Sequence, residues 1–209
     1  MFEQGSQEWL LERCGKVTAS RIADLMATTR SGYAASRDNY KAQLVAERLT
    51  GCVTPGFTNA AMIHGTETEP EARRAYEFFV DRDVQQVGFI PHPVIEMSGA
   101  SPDGLVGDDG LLELKCPNTA THIETLLTGR IPDKYHKQMQ FQMACTGREW
   151  CDFASYDNRM PERMRLFVKR VERSAEDIGE IEGEVLTFLA EIDETVARLR
   201  EICEQKEAA

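Results

Sequence analysis

The sequence predicts an α/β (α+β) domain built around one mixed sheet, and three observations lead there. Helical periodicity dominates up to Val80; a meander of short apolar runs broken by Gly, Pro and Asp follows to Lys115; helices and strands then alternate to the end. The 209 residues fit a single domain spanning 1–209, with volume for a real core and no need of disulfide staples.

The first helix is expected over Gln7–Cys14, where Trp9, Leu10 and Arg13 fall close together. Thr18 or Ser20 can cap the next, whose apolar residues Ile22, Leu25 and Met26 recur at helical spacing. A helix from Arg37 to Leu49 is stopped by Thr50-Gly51, and another spans Asn59 to Val80 with complications at Gly65 and Pro70. Strands are expected at Val84–Ile90, Val94–Met97, Ala100–Val106 and Leu111–Lys115. Helices at Thr119–Leu127 and Pro132–Cys145 precede strands at Trp150–Tyr156 and Met164–Val171. Finally, Ala175–Glu204 places Ile178, Ile181, Val185, Leu189, Ile192, Val196 and Leu199 three or four apart. That is a long amphipathic helix, covering the sheet or packing on a neighbouring subunit.

Composition is that of a soluble globular protein, with 42% hydrophobic and 28% charged residues. The N-terminus lacks the basic and apolar regions of a secretion signal, and no apolar run is long enough to span a membrane, so a cytoplasmic location and no membrane partner are expected. Six scattered cysteines form no CxxC pair, and most are expected to be small core residues; a structural zinc or iron–sulfur site is not expected. The net charge of −11 argues against a nucleic-acid partner until its distribution is considered. From Ser174 onward there are eleven acids against three bases, a net −8 that leaves only −3 for the rest of the chain. Uneven charge is compatible with DNA held in a locally basic groove, with acidic surface facing away.

The chemistry-bearing stretch is Ser101-Pro102-Asp103-Gly104 followed by Glu113-Leu114-Lys115. In a strand, residues two apart share a face, so Glu113 and Lys115 point together and Leu114 turns into the apolar layer behind. If Asp103 ends the neighbouring strand, two carboxylates and one ammonium converge. Phosphodiester hydrolysis needs a hard cation and an activated water. Magnesium suits Asp103, Glu113 and the Leu114 carbonyl, with Lys115 placed to orient the water or stabilise developing charge. Pro-Asp-Gly is equally a turn signal, and Glu-x-Lys a solvated strand pattern. Three further features bear on the choice. Glu67, Glu69 and Glu71 lie near a helical turn, where acids also complement a helix dipole. Gln138, Gln140 and Gln142 alternate along a helix and do not share one face, so some can be ordinary exposed residues. Arg13, Thr18 and Ser20 can form a phosphate cradle or a simple cap.

Six collinear blocks carry a resemblance to a family: W…R…G.VTAS (Trp9 to Ser20), G…E..AR (Gly65 to Arg73), SPDG (Ser101 to Gly104), LELKCP (Leu112 to Pro117), Q.Q..M (Gln138 to Met143) and A.YD.RM (Ala154 to Met160). The chain resembles the phage lambda exonuclease (YqaJ-type viral recombinase) group of the PD-(D/E)xK nuclease superfamily. Only the acidic C-terminal helix, beyond about Val171, offers no motif. The resemblance implies a restriction-endonuclease-like mixed sheet flanked by helices. It implies one magnesium (with Mn2+ as substitute) on Asp103, Glu113 and the Leu114 carbonyl, and a second shared by Glu69 and Asp103, about 3.5–4 Å away. Lys115 would be the catalytic lysine and Gln138 would help position the water. Arg13, Ser20 and Ser101 would grip the 5′-phosphate, with Thr18 and Ala19 contributing. Met62 would correspond to an apolar wedge in the duplex, although a methionine there is more commonly core. His64 stands where the lambda enzyme has an aromatic residue.

The implied activity is 5′→3′ digestion of one strand of linear double-stranded DNA to mononucleotides, leaving 3′ single-stranded tails. A ring-shaped homotrimer and a single-strand annealing protein would be its partners in phage-type recombination. A site-specific or repair endonuclease on the same fold is the nearest rival, distinguished by cutting closed circles. A binding module that keeps the fold without catalysis is a third reading, distinguished by absence of carboxylate-dependent magnesium binding.

Overall fold

The computed structural model describes residues 2–30, 32–56 and 59–207. Helix α1 (Gln7–Arg13) starts where the Ser6 side chain accepts the Trp9 N–H. Strand β1 (Val17–Thr18), a 3-10 turn at Ala19–Arg21 and the four-residue α2 (Ile22–Leu25) follow. The hairpin β2 (Thr28–Thr29) and β3 (Gly32–Tyr33) leads to α3 (Ala35–Thr50), which ends at Gly51 in the left-handed region, φ 66°. Asn59 caps α4 (Ala60–Val80), which runs unbroken through Gly65 and Pro70.

Strands β4 (Val84–Gln85), β5 (Ile90–Pro91), β6 (Ser98–Ala100), β7 (Gly104–Val106) and β8 (Gly110–Lys115) come next. Helices α5 (Thr119–Thr128) and α6 (Asp133–Thr146), strands β9 (Trp150–Tyr156) and β10 (Leu166–Glu172), and the 33-residue α7 (Ala175–Glu207) complete the chain. The main sheet has the order β10-β9-β8-β7-β4; β8 and β9 run parallel, and the other neighbours antiparallel. A smaller sheet, β1-β6-β5, pairs β1 parallel to β6. This is the expected mixed sheet flanked by helices.

The alternation along β8 divides the core. Leu111 packs with Met139, Phe141, Phe153 and the α7 stripe, whereas Leu112 and Leu114 face Ala72 and Tyr76 of α4. Each fully buried Leu or Phe contributes about 1.5–3 kcal/mol relative to exposure. Glu113 has the same parity as Leu111 and is therefore carried into the layer beneath α6. On α7, Ile178, Ile181, Val185, Phe188, Ile192 and Val196 are buried, but Leu199 is exposed.

Several expected elements differ, each for a local reason. Val84–Ile90 is not one strand: β4 pairs with β7 in the main sheet and β5 with β6 in the small one. Val94–Met97 is a turn, held by the His92 ring nitrogen accepting the N–H groups of Val94 and Ile95, and closed by Met97 at φ 57°. Ala100–Val106 is broken at Ser101-Pro102-Asp103, where the chain leaves one sheet for the other. The last strand starts at Leu166, because Glu162–Met164 forms a 3-10 turn. Neither Thr18 nor Ser20 caps a long helix: no side-chain cap bond forms there, and α2 is a single turn. Of the cysteines, only Cys145 and Cys151 are buried; Cys14 and Cys116 are half-buried, and Cys52 and Cys203 exposed. Among the described residues no helix is long and apolar enough to cross a membrane.

Candidate active site

The antiparallel pairing of β7 with β8 sets Gly104 opposite Leu112, so the preceding turn delivers Asp103 beside the end of β8. Asp103 Oδ2 accepts the Leu114 N–H at 2.7 Å and lies 3.8 Å from Lys115 Nζ. Lys115 Nζ also contacts Glu113 Oε1 directly. The expected convergence of Asp103, Glu113 and Lys115 is therefore formed, with Leu114 turned into the apolar layer behind.

Glu113 is fully buried. Gln138 Nε2 donates to its Oε1 at 2.7 Å, and Gln142 Nε2 to its Oε2 at 2.6 Å. Burial pushes the Glu113 carboxyl up to about 7, with Asp103 adding to the rise and Lys115 and Gln142 opposing it. For Lys115, burial alone would favour the neutral amine, but Glu113 and Asp103 outweigh it and hold the ammonium charged. The glutamines are not ordinary exposed residues: Gln140 and Gln142 are buried and Gln138 half-buried. Gln140 instead ties α6 to β10 and α7, donating to Glu172 O and accepting the Ser174 N–H. The four-residue spacing of Gln138 and Gln142 was the available signal for their common face.

Glu69 of α4 is paired with Arg73 and borders a hollow shared with Asp103, Leu114, Lys115, Cys116 and Tyr135. Burial raises its carboxyl, helped by Asp103 and opposed by Arg73 and Lys115. The same hollow is bordered by Met62, which is 53% exposed and not a core methionine. Of the other two acids, Glu67 is exposed, and Glu71 is engaged by Tyr156 OH and Asn158 Nδ2. His64 Nδ1 lies 3.4 Å from Thr68 Oγ1, and its buried Nε2 has no partner among the described residues.

On the other side of Asp103 and Lys115 is a second cavity, lined by Trp9, Arg13, Thr18, Ala19, Ser20, Ser101 and Gln138. The β1–β6 pairing brings the Arg13–Ser20 loop alongside Ser101. Trp9 Nε1 donates to Ser101 Oγ at 3.0 Å, and the Arg13 guanidinium lies 3.8 Å from the Trp9 ring centroid. Arg13 Nε is buried with no hydrogen-bond partner among the described residues. The Thr18 N–H is already used by Tyr40 OH, and the Ala19 side chain is core. Trp9 and Tyr40 had no role assigned from sequence.

Among the described residues no group of three His, Cys, Asp or Glu side chains is preassembled to hold a metal. The donors nonetheless fit a hard cation: Asp103, Glu113 and Glu69 offer only oxygen, and Glu113 and Glu69 are both raised in part by the Asp103 charge. Lys115 and Arg73 supply the compensating positive charge.

The sequence pattern of the YqaJ-like viral recombinase domain matches residues 8–149, a span containing every residue of this site. The chain belongs to that family. An alkaline exonuclease from Laribacter hongkongensis, LHK-Exo, is 54% identical, with a TM-score of 0.90 over 96% of this chain and 99% of that one; it has also been solved in complex with dAMP. A phage-related exonuclease from Haemophilus somnus 129PT shares the fold, with a TM-score of 0.71 at 13% identity over 88% of this chain and 96% of that one. An uncharacterized protein, R354, of Acanthamoeba polyphaga mimivirus is 29% identical over 73% of this chain, which spans only 29% of that protein's length. The fold of this YqaJ-family chain is that of the alkaline exonuclease.

Proposed function

We propose that this chain is a divalent-metal-dependent DNA exonuclease that enters linear duplex DNA at a 5′-phosphate, degrades that strand 5′→3′ to mononucleotides and leaves a 3′ single-stranded tail. The observation that carries this reading is the pair of cavities meeting at Asp103 and Lys115. One offers Arg13, Ser20 and Ser101 to a phosphate; the other opens past Glu69 and Met62. A grip of this kind suits a strand end. The 54%-identical relative is an alkaline exonuclease solved with dAMP, a mononucleotide, which agrees with such a product.

Asp103, Glu113, Glu69 and the Leu114 carbonyl would hold magnesium, which when bound offsets charge on the phosphate and makes a water nucleophilic. Lys115, kept charged by its carboxylate neighbours, supports negative charge as it develops on the phosphate oxygens. Gln138, which donates to Glu113, would help orient the water. Arg13 and the hydroxyls of Ser20 and Ser101 hold the terminal phosphate, and Met62 wedges the duplex. A homotrimeric ring in the cytoplasm, with the acidic α7 surface facing away from DNA and a single-strand annealing protein as partner, completes the reading.

The test uses linear duplex bearing a 5′-phosphate at one end and a 5′-hydroxyl at the other, with magnesium, comparing wild type with Lys115→Ala. Mononucleotides released from the phosphorylated end only, and none by the variant or from closed circles, are expected. Cutting of closed circles would replace the exonuclease by an endonuclease.

A further inference from the structure

Gln142 lies on α6 one turn beyond Gln138 and is fully buried. Its amide presents the Nε2 donor to Glu113 Oε2, at 2.6 Å. Its Oε1 faces the Cys151 thiol at 3.9 Å, in the interior. The two oxygens of Glu113 thus have different surroundings. Oε1 is shared by Gln138 and Lys115, both of which line the cavity with Asp103. Oε2 accepts from Gln142, which does not line that cavity.

We propose that Gln142 is a positioning residue that withholds Oε2, leaves Glu113 to bind a cation through one oxygen, and so sets a preference for Mg2+ over Ca2+. This rests on reading Asp103 and Glu113 as cation ligands. Magnesium demands near-octahedral geometry and takes one or two carboxylates, whereas calcium accepts more ligands and bidentate carboxylates. Releasing Oε2 relaxes the constraint that disfavours calcium.

The experiment is calorimetric titration of the full chain with MgCl2 and with CaCl2, without DNA. Wild type, Gln142→Met (similar length, no donor), Gln142→Asn (an amide one methylene shorter) and Asp103→Ala are compared. Wild type is expected to bind Mg2+ in an Asp103-dependent way, and both Gln142 variants to raise the Ca2+:Mg2+ affinity ratio about tenfold, the lower range for residues supporting a metal ligand. A general structural role would weaken both ions alike; an unchanged ratio in a folded variant overturns the proposal. Unfolding of both variants would make Gln142 a folding residue and overturn it as well. Should wild type take up neither cation, the metal-site reading itself fails, an outcome distinct from binding with an unmoved ratio.

Discussion

Asp103 Oδ2 accepts the backbone N–H of Leu114 at 2.7 Å, so the turn leaving the small sheet is fastened to the strand that carries Glu113 and Lys115. Under the proposed function one carboxylate serves both architecture and chemistry, and the two roles are separable. Asp103→Asn keeps an acceptor of the same size, so the loss of stability should stay near 1 kcal/mol, the difference between charged and neutral hydrogen bonds. Cleavage should fall by roughly 10²–10³, equivalent to about 3–4 kcal/mol of lost transition-state stabilisation. Thermal melts alongside nucleotide release check this; a variant that cuts within tenfold of wild type would remove Asp103 from the chemistry.

Burial holds the Glu113 carboxyl at about 7, which makes cation binding a competition with a proton. The sign follows from the upward shift: below 7 the buried carboxyl is mostly protonated, and a bound cation must displace that proton. Magnesium affinity should therefore fall about tenfold per pH unit below 7 and level off above about 8. Calorimetry in buffers of different ionisation enthalpy should register close to one proton released at about pH 6 and almost none at about pH 8.5. Intact binding with no proton release at the acidic end would mean that Glu113 is not the titrating ligand.

Trp9 carries two of the groups assigned to the terminal phosphate: its Nε1 donates to Ser101 Oγ, and its ring supports the Arg13 guanidinium. Because the indole can only donate, Ser101 spends a lone pair on Trp9 and keeps its own O–H for a ligand. Trp9→Phe preserves a ring for Arg13 but removes the donor. Cleavage from 5′-phosphorylated ends should drop about 2–12-fold, the kinetic equivalent of one neutral hydrogen bond, while cleavage from 5′-hydroxyl ends changes little. An equal drop at both kinds of end would assign Trp9 to general packing.

What the sequence made legible was periodicity and local spacing. The parity of Glu113 and Lys115 followed from strand geometry alone, and the α7 stripe from helical spacing. Boundaries that depend on partners were not legible: nothing local to Val84–Ile90 says that its two ends join different sheets, or that Pro102 marks the crossing between them. The same limit hid Gln142, which acquires a purpose only once α6 is laid over β8. Met62, offered as a wedge by resemblance alone although a methionine there is more commonly core, is exposed where it borders the hollow, which residue chemistry could not indicate.

Gly99 pairs with Thr18 on one side and Pro91 on the other, at the centre of the small sheet that sets the Arg13–Ser20 loop beside Ser101. A Cβ there would press on the buried Phe89 ring and sit 2.5 Å from Ile90 O. A ring tip can shift, but a backbone carbonyl within a paired strand cannot without moving the strand. Gly99→Ala should therefore destabilise the fold by about 1–3 kcal/mol, the range for overpacking. The displaced β6 should also carry Ser101 away from Arg13, raising KM for phosphorylated ends more than it lowers kcat. Gly183, inside α7 with open space where its Cβ would go, gives the opposite sign: Gly183→Ala should stabilise by about 0.5–1 kcal/mol through helix propensity and leave KM unchanged. Urea denaturation of both variants, with initial rates on phosphorylated duplex, separates the two effects. If Gly99→Ala were as stable as wild type, the close approach of β5 to β6 would be wrong.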